Sequence, residues 1–143
     1  MRGDLFMNID AALEMLWSRA AASIPDWLPM TYFERLPSLY DVAARFTAAR
    51  GRANIYLVLL DYRDSRSDPF GIYVGMSSRT PQLRFDQHKA GIRAAGSVLK
   101  RGLELLTGPV QHLQHIARAE AASIEERLAE ALRADGWLVH GGH

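Results

Sequence analysis

The run from Tyr73 to Gly91, YVGMSSRTPQLRFDQHKAG, places Arg84 and His88 four residues apart. Its middle carries both marks of a short helix. Thr80 suits the N-cap, Pro81 the first helical position and Gly91 a left-handed stop. Residues four apart on such a helix stack on one face. Arg84 falls near the first turn, where free N–H groups and the helix dipole favour an anion. The pair could hold a phosphate; an ordinary solvated face is the plainer alternative.

Two further residues could share that chemistry. FGIYVGM (Phe70 to Met76) reads as a strand with Phe70, Ile72, Val74 and Met76 on one face and Gly71, Tyr73 and Gly75 on the other. Tyr73 thus stands on a face bared by two glycines, and glycine inside a strand often marks the close approach of a ligand or another backbone. The second residue is Glu125. It lies in an expected helix from about His115 to Asp135, stopped by Gly136, with an apolar stripe of Ala117, Ala121, Ile124, Leu128, Ala131 and Leu132. Glu126 and Glu130 fall on the wet side, whereas Glu125 and Glu120 fall at the two edges of the stripe. A carboxylate bordering a buried face needs a partner, a metal ion or, more commonly, an arginine.

Other elements must position these residues. NIYLVLLDY (Asn54 to Tyr62) is apolar at both parities, as in a strand buried on both faces. RDSRSDP is a polar turn between it and the second strand. A linker with helical character spans Ile92 to Arg101, and a short third strand is expected near Leu103 to Leu106. Two helices precede the strands. One covers residues 8–24. The other runs from Ser38, as N-cap, to about Arg50, with Gly51 as its stop.

Composition sets the outer bounds. The chain has 143 residues, enough for one domain with a core of its own. It has no cysteine, which excludes disulfides and thiolate zinc sites and suits a reducing cytoplasm. No apolar run is long enough to span a bilayer, and the start of the chain is not expected to be a signal peptide. Net charge is +1, yet Arg79 to Arg101 holds six cations and one acid, a local balance of +5. A basic segment in an otherwise mildly acidic protein suits either nucleic acid or a solvated helix pair.

In order, these residues resemble the GIY-YIG nuclease family, close to its small bacterial members. Asn54-Ile55-Tyr56 stands where the family has its first triplet and Tyr73-Val74-Gly75 where it has its second. Arg84, His88 and the later Glu125, in IEERLAEAL, follow in family order. The literal GIY at Gly71 to Tyr73 overlaps the second triplet and would leave no strand for it, so the first triplet is NIY, with Asn54 in the place of glycine. The connection from Tyr56 to Tyr73 is longer than usual for the family. The likeness covers about Asn54 to Gly141.

The resemblance implies an α+β fold: a small, mainly antiparallel three-stranded sheet flanked by helices, here residues 54–143, with residues 1–53 as a helical extension. It implies hydrolysis of phosphodiesters in DNA, with RNA as the alternative, using Mg²⁺ or Mn²⁺. Tyr56 would activate water with help from Tyr73 or His88, Arg84 would grip phosphate and Glu125 would be the metal ligand. Tyrosine ordinarily ionises near ~10, so nearby cations are needed for Tyr56 to act as a base at neutral pH. Arg79, Lys89, Arg93, Lys100 and Arg101 are expected to follow the nucleic-acid backbone. The alternative is an inactive nucleic-acid-binding or assembly module on the same fold, with Trp17, Trp27, Tyr32 and Phe33 covering the sheet or forming a homodimer contact. His112 and His115 have metal-ligand spacing without a third ligand, and are expected to be surface residues. HGGH at residues 140–143 is expected to be a frayed end.

Overall fold

Both faces of the Asn54–Tyr62 run are apolar, and the strand it forms is the centre of the molecule. The computed structural model describes residues 29–62 and 70–142, with side chains from residue 34. The expected helix over 8–24, the RDSRSDP turn, Trp17 and Trp27, and the side chains of Tyr32 and Phe33 lie outside the described residues. The elements are α1 (Pro29–Ala43), β1 (Arg50–Asp61), β2 (Phe70–Ser77), α2 (Pro81–Lys89), α3 (Gly96–Arg101), β3 (Gly102–Leu106), a 3₁₀ helix (Gly108–Leu113), α4 (Arg118–Ala134) and β4 (Val139–Gly141). The fold is α+β.

The sheet order is β3-β1-β2-β4. β1 is antiparallel to β2 and β3, while β2 is parallel to β4. The sheet therefore has four strands and is mixed, where three were expected. The added strand comes from the supposed frayed end. Val139, His140 and Gly141 pair with Ile72, Tyr73 and Val74. Its pairing is carried by the backbone, in a segment whose glycines (Gly141 φ 80°, Gly142 φ 80°) weaken any strand signal.

β1 divides two cores. Ile55, Leu57 and Leu59, with Phe70, Ile72 and Val74 of β2, pack beneath α1 and α4 through Leu39, Val42, Ile124, Leu128 and Leu132. Tyr56, Val58 and Leu60 face the other way, towards Val98 of α3, Phe85 of α2, Leu105 and Tyr73. α1 shares the first core with the sheet, and β1 runs through residues 53 and 54. Among the described residues no helix is long and apolar enough to cross a membrane.

Three helix boundaries differ from the expected ones. Ser38 lies inside α1, which starts nine residues earlier and ends at Ala43. Pro37 is interior and looks like a breaker in sequence. An interior proline costs about 3 kcal/mol or more. Burial of Leu36, Leu39 and Val42 offsets it, at roughly 1.5–3 kcal/mol each. Gly51 is no helix stop. It lies in β1, donates its N–H to the His115 carbonyl (2.8 Å), and runs so close to Ala117 that a side-chain carbon there would meet its backbone at 2.5 Å. The last helix begins at Arg118 rather than His115, because His115 is left-handed (φ 55°) and Ile116 bridges to Arg50 and Ala53.

Candidate active site

α2 forms as its sequence demands. The Thr80 hydroxyl accepts from the Leu83 N–H (3.2 Å), Pro81 opens the helix, and Gly91 follows the cap at φ 83°. The helix lays His88, which is buried, over the sheet face that carries Tyr56 and Tyr73. The ring centroids of the two tyrosines are 6.0 Å apart, and His88 lies 5.9 Å from Tyr56 and 5.7 Å from Tyr73. Gly75 makes the cluster possible. It pairs with Tyr56 across the strands, and a side-chain carbon on it would come within 2.4 Å of the Tyr56 ring. The glycine bared beside Tyr73 thus makes room for the other tyrosine.

Hydrogen bonds fix what His88 can do. The Ala95 backbone N–H donates to His88 Nδ1 at 3.0 Å. Burial, and then the nearby Arg84 charge, push its pKa down to about 4, so the ring is neutral at pH 7. A neutral ring that accepts at Nδ1 carries its proton on Nε2. His88 therefore donates to the Tyr56 hydroxyl, 2.8 Å away.

The tyrosines are held protonated. Burial pushes the Tyr56 phenol far above its ordinary value, and Tyr73 and the Glu125 charge add to it, while Arg84 pulls the other way. Burial also raises Tyr73. The expected help from Arg84 is present, but it is smaller than the cost of desolvating a phenolate.

Arg84 is braced by the loop after its own helix. Its Nη1 donates to Gln87 Oε1 (3.3 Å) and the Ile92 carbonyl (3.2 Å), and its Nη2 donates to the Arg93 carbonyl (2.7 Å). Arg93 presents that carbonyl from a left-handed backbone (φ 46°). A guanidinium has five N–H donors, so Nε–H and one Nη2–H are left for a ligand.

Glu125 reaches the cluster from the opposite layer. The even-numbered residues of β2 turn their backbone groups to the β4 edge. Ile72 N–H donates to the Leu138 carbonyl, and the Val74 carbonyl accepts from Gly142 N–H. β4 ends there. Met76 is the next such residue, and its backbone hydrogen-bonds the Glu125 carboxylate instead. Glu125 is 7% exposed. Burial raises its pKa to about 7, against the lowering effect of Met76. No cation pairs with it among the described residues, so the common alternative of a salt bridge is not what occupies it. Its charge is felt by both tyrosines. Glu120, at the other edge of the stripe, accepts from the Ala49 N–H at 3.0 Å.

The five basic residues divide. Lys89 Nζ donates to the Gly102 carbonyl (3.0 Å), and Arg101 donates to the Asp61 carbonyl (2.9 Å) and lies over the Tyr62 ring. Those two brace α3. Arg79, Arg93 and Lys100 are exposed, with no side-chain hydrogen bond among the described residues. His112 Nε2 is taken by the Ala43 carbonyl (2.9 Å) and His115 is exposed. Among the described residues no three His, Asp or Glu side chains are grouped to hold a metal ion. A one-carboxylate site needs no such group, since Mg²⁺ keeps several waters and binds through one or two carboxylates plus phosphate. Glu125, buried and without a cation, fits that donor set.

Sequence reasoning gave no role to Asn54 or Ala95. Asn54 is buried, donates to the Arg79 carbonyl (2.9 Å) and accepts from the His115 N–H (2.9 Å), tying the start of α2 to the approach to α4. A polar residue opening an apolar run was its signal. Ala95 acts through its backbone and left none.

No protein-family model, curated protein or solved structure matches the chain.

Proposed function

We propose that this chain is a divalent-metal-dependent endonuclease of the GIY-YIG type, hydrolysing phosphodiester bonds in DNA. The observation that carries the reading is Glu125: a buried carboxylate with no cation beside it among the described residues, within electrostatic range of the tyrosine pair. Arg84, braced with two donors to spare, supplies the phosphate grip.

The residues divide the work. Arg84 holds a non-bridging oxygen and orients phosphorus. Tyr56, once its phenol proton has passed to solvent, takes a proton of the attacking water, whose oxygen bonds to phosphorus as the bond to the leaving oxygen breaks; the leaving oxygen takes a proton from solvent. His88 keeps its Nε2–H on the Tyr56 oxygen, which stabilises the phenolate form. Tyr73 closes the other side of that oxygen. A divalent cation on Glu125 supplies positive charge that favours ionisation nearby and balances charge growing on the phosphate. Arg79, Arg93 and Lys100 follow the backbone. A nucleic-acid substrate would suit a cytoplasmic location, and a chain without cysteine fits a reducing compartment.

Plasmid nicking with Mg²⁺ or Mn²⁺ tests this, with an EDTA control and Glu125→Ala beside the wild type. Cleavage is expected, and its loss in both EDTA and the variant, with the variant still folded by circular dichroism. Absence of cleavage by wild type on duplex, branched and single-stranded DNA and on RNA would favour the inactive binding module.

A further inference from the structure

A cleft of about 330 Å³ opens beside Tyr56, between the start of α2 and the segment joining β3 to the 3₁₀ helix. Among the described residues no charged side chain lines it. Pro81, Leu105, Leu106 and Val110 make apolar walls, and the polar groups are the amides of Gln82, Gln111 and Gln114 and the hydroxyls of Thr80 and Thr107. Such a lining gives a phosphate or a carboxylate no side-chain counter-charge. It suits a small neutral ligand with apolar faces and hydrogen-bonding edges.

The amides are not equivalent. Gln114 Nε2 donates to the Ile55 carbonyl (2.7 Å) and the Val110 carbonyl (2.9 Å). Both of its N–H groups are spent, which settles which end of the amide is oxygen and leaves Oε1 as a fixed acceptor. Gln82 is similar in part, since its Nε2 donates to Asp86 (3.0 Å). Gln111 is exposed, with no hydrogen bond among the described residues. A ligand meeting Gln114 must therefore bring a donor.

We propose that this cleft holds the nucleobase next to the cleaved phosphate, with an N–H donor edge of the base turned to Gln114. Adenine and cytosine offer an exocyclic amino group to a glutamine oxygen, guanine its N1–H and amino group, and uracil and thymine their N3–H; a base methylated at that nitrogen offers none. The proposal rests on the nuclease reading for its biological ligand, because Tyr56 borders both the cleft and the tyrosine cluster. Its test does not depend on cleavage.

Saturation-transfer NMR of free cytidine, uridine and 3-methyluridine against the full chain in EDTA reads binding without cleavage. Cytidine and uridine should both bind about fivefold more tightly than 3-methyluridine, the value of one neutral hydrogen bond. Gln111→Trp, an exposed position at the cleft, should block all three while the protein stays folded by circular dichroism. Gln111→Ala keeps the cleft open and should retain the preference that Gln114 sets. Equal binding of uridine and 3-methyluridine, or saturation unchanged by Gln111→Trp, would overturn the proposal. Nucleoside binding without plasmid nicking would sink the nuclease reading and leave the cleft. Nicking without nucleoside binding would do the reverse.

Discussion

Glu125 is the residue whose environment works against the fold. Its folded pKa of about 7 lies above the ordinary 4.5, so the carboxylate stabilises the fold least when ionised. The sign follows: its contribution is fully present below about 4.5 and is lost as pH rises through about 7. Glu125→Gln removes that loss. In EDTA at pH 8 the variant should be more stable by roughly 1–3 kcal/mol, an advantage that shrinks towards pH 4, while cleavage disappears. Urea melts at the two pH values check it; a variant less stable at pH 8 would show that the carboxylate is satisfied by the chain. The same proton competes with a cation. Mg²⁺ affinity should rise up to about tenfold per pH unit below 7 and level off above it. Calorimetric titrations between pH 6 and 8 read this directly. His88 runs the opposite way. Its lowered pKa of about 4 gives stability present above its ordinary 6.5 and lost as pH falls.

At the scale of elements, the tight step is Tyr56 over Gly75. β1 is apolar on both faces, so alternation alone sets its register weakly. The glycine opposite Tyr56 gives a steric reason for one register. Gly75→Ala places a methyl group where the ring of Tyr56 lies. Overpacking of this kind costs about 1–3 kcal/mol. The larger effect should be on the Tyr56–His88 hydrogen bond, with cleavage falling by at least about tenfold, on the scale of a misplaced catalytic group. A fully active, unshifted Gly75→Ala would mean that Tyr56 is not used where it sits. What was legible in sequence was legible at this scale. The two faces of β2, both ends of α2, the short β3 and the border position of Glu125 follow from periodicity and cap chemistry. α1 did not, because tertiary burial overrides Pro37. β4 did not, because a three-residue strand made by backbone pairing has no side-chain period. The Ala95 N–H that fixes His88 has no residue type to announce it.

For the whole molecule, the basic segment is less uniform than its charge suggests. Of its six cations, Arg84, Lys89 and Arg101 are tied to backbone carbonyls, and Arg79, Arg93 and Lys100 project. Each projecting cation that meets a phosphate should add about one counterion to the salt dependence of DNA binding. Replacing all three with glutamine should flatten the slope of log K against log salt by about three and leave the melting temperature nearly unchanged. Lys89→Gln should do the opposite, loosening α3 with little change in slope. Fluorescence anisotropy across a salt series separates the two, and equal slopes for both variants would remove the assignment.

The central strand also acts as a partition. Leu39, Ile124 and Leu128 lie behind β1, whereas Tyr56, Tyr73 and His88 lie in front of it. Drift in the rear core can change thermal tolerance without reshaping the front, and the front can be retuned without unpicking the core. Glu125 belongs to a rear helix while its charge reaches the tyrosines in front, at the edge where β4 stops. One residue therefore couples two otherwise separable histories, and lineages that abandon the chemistry would be free to lose it first.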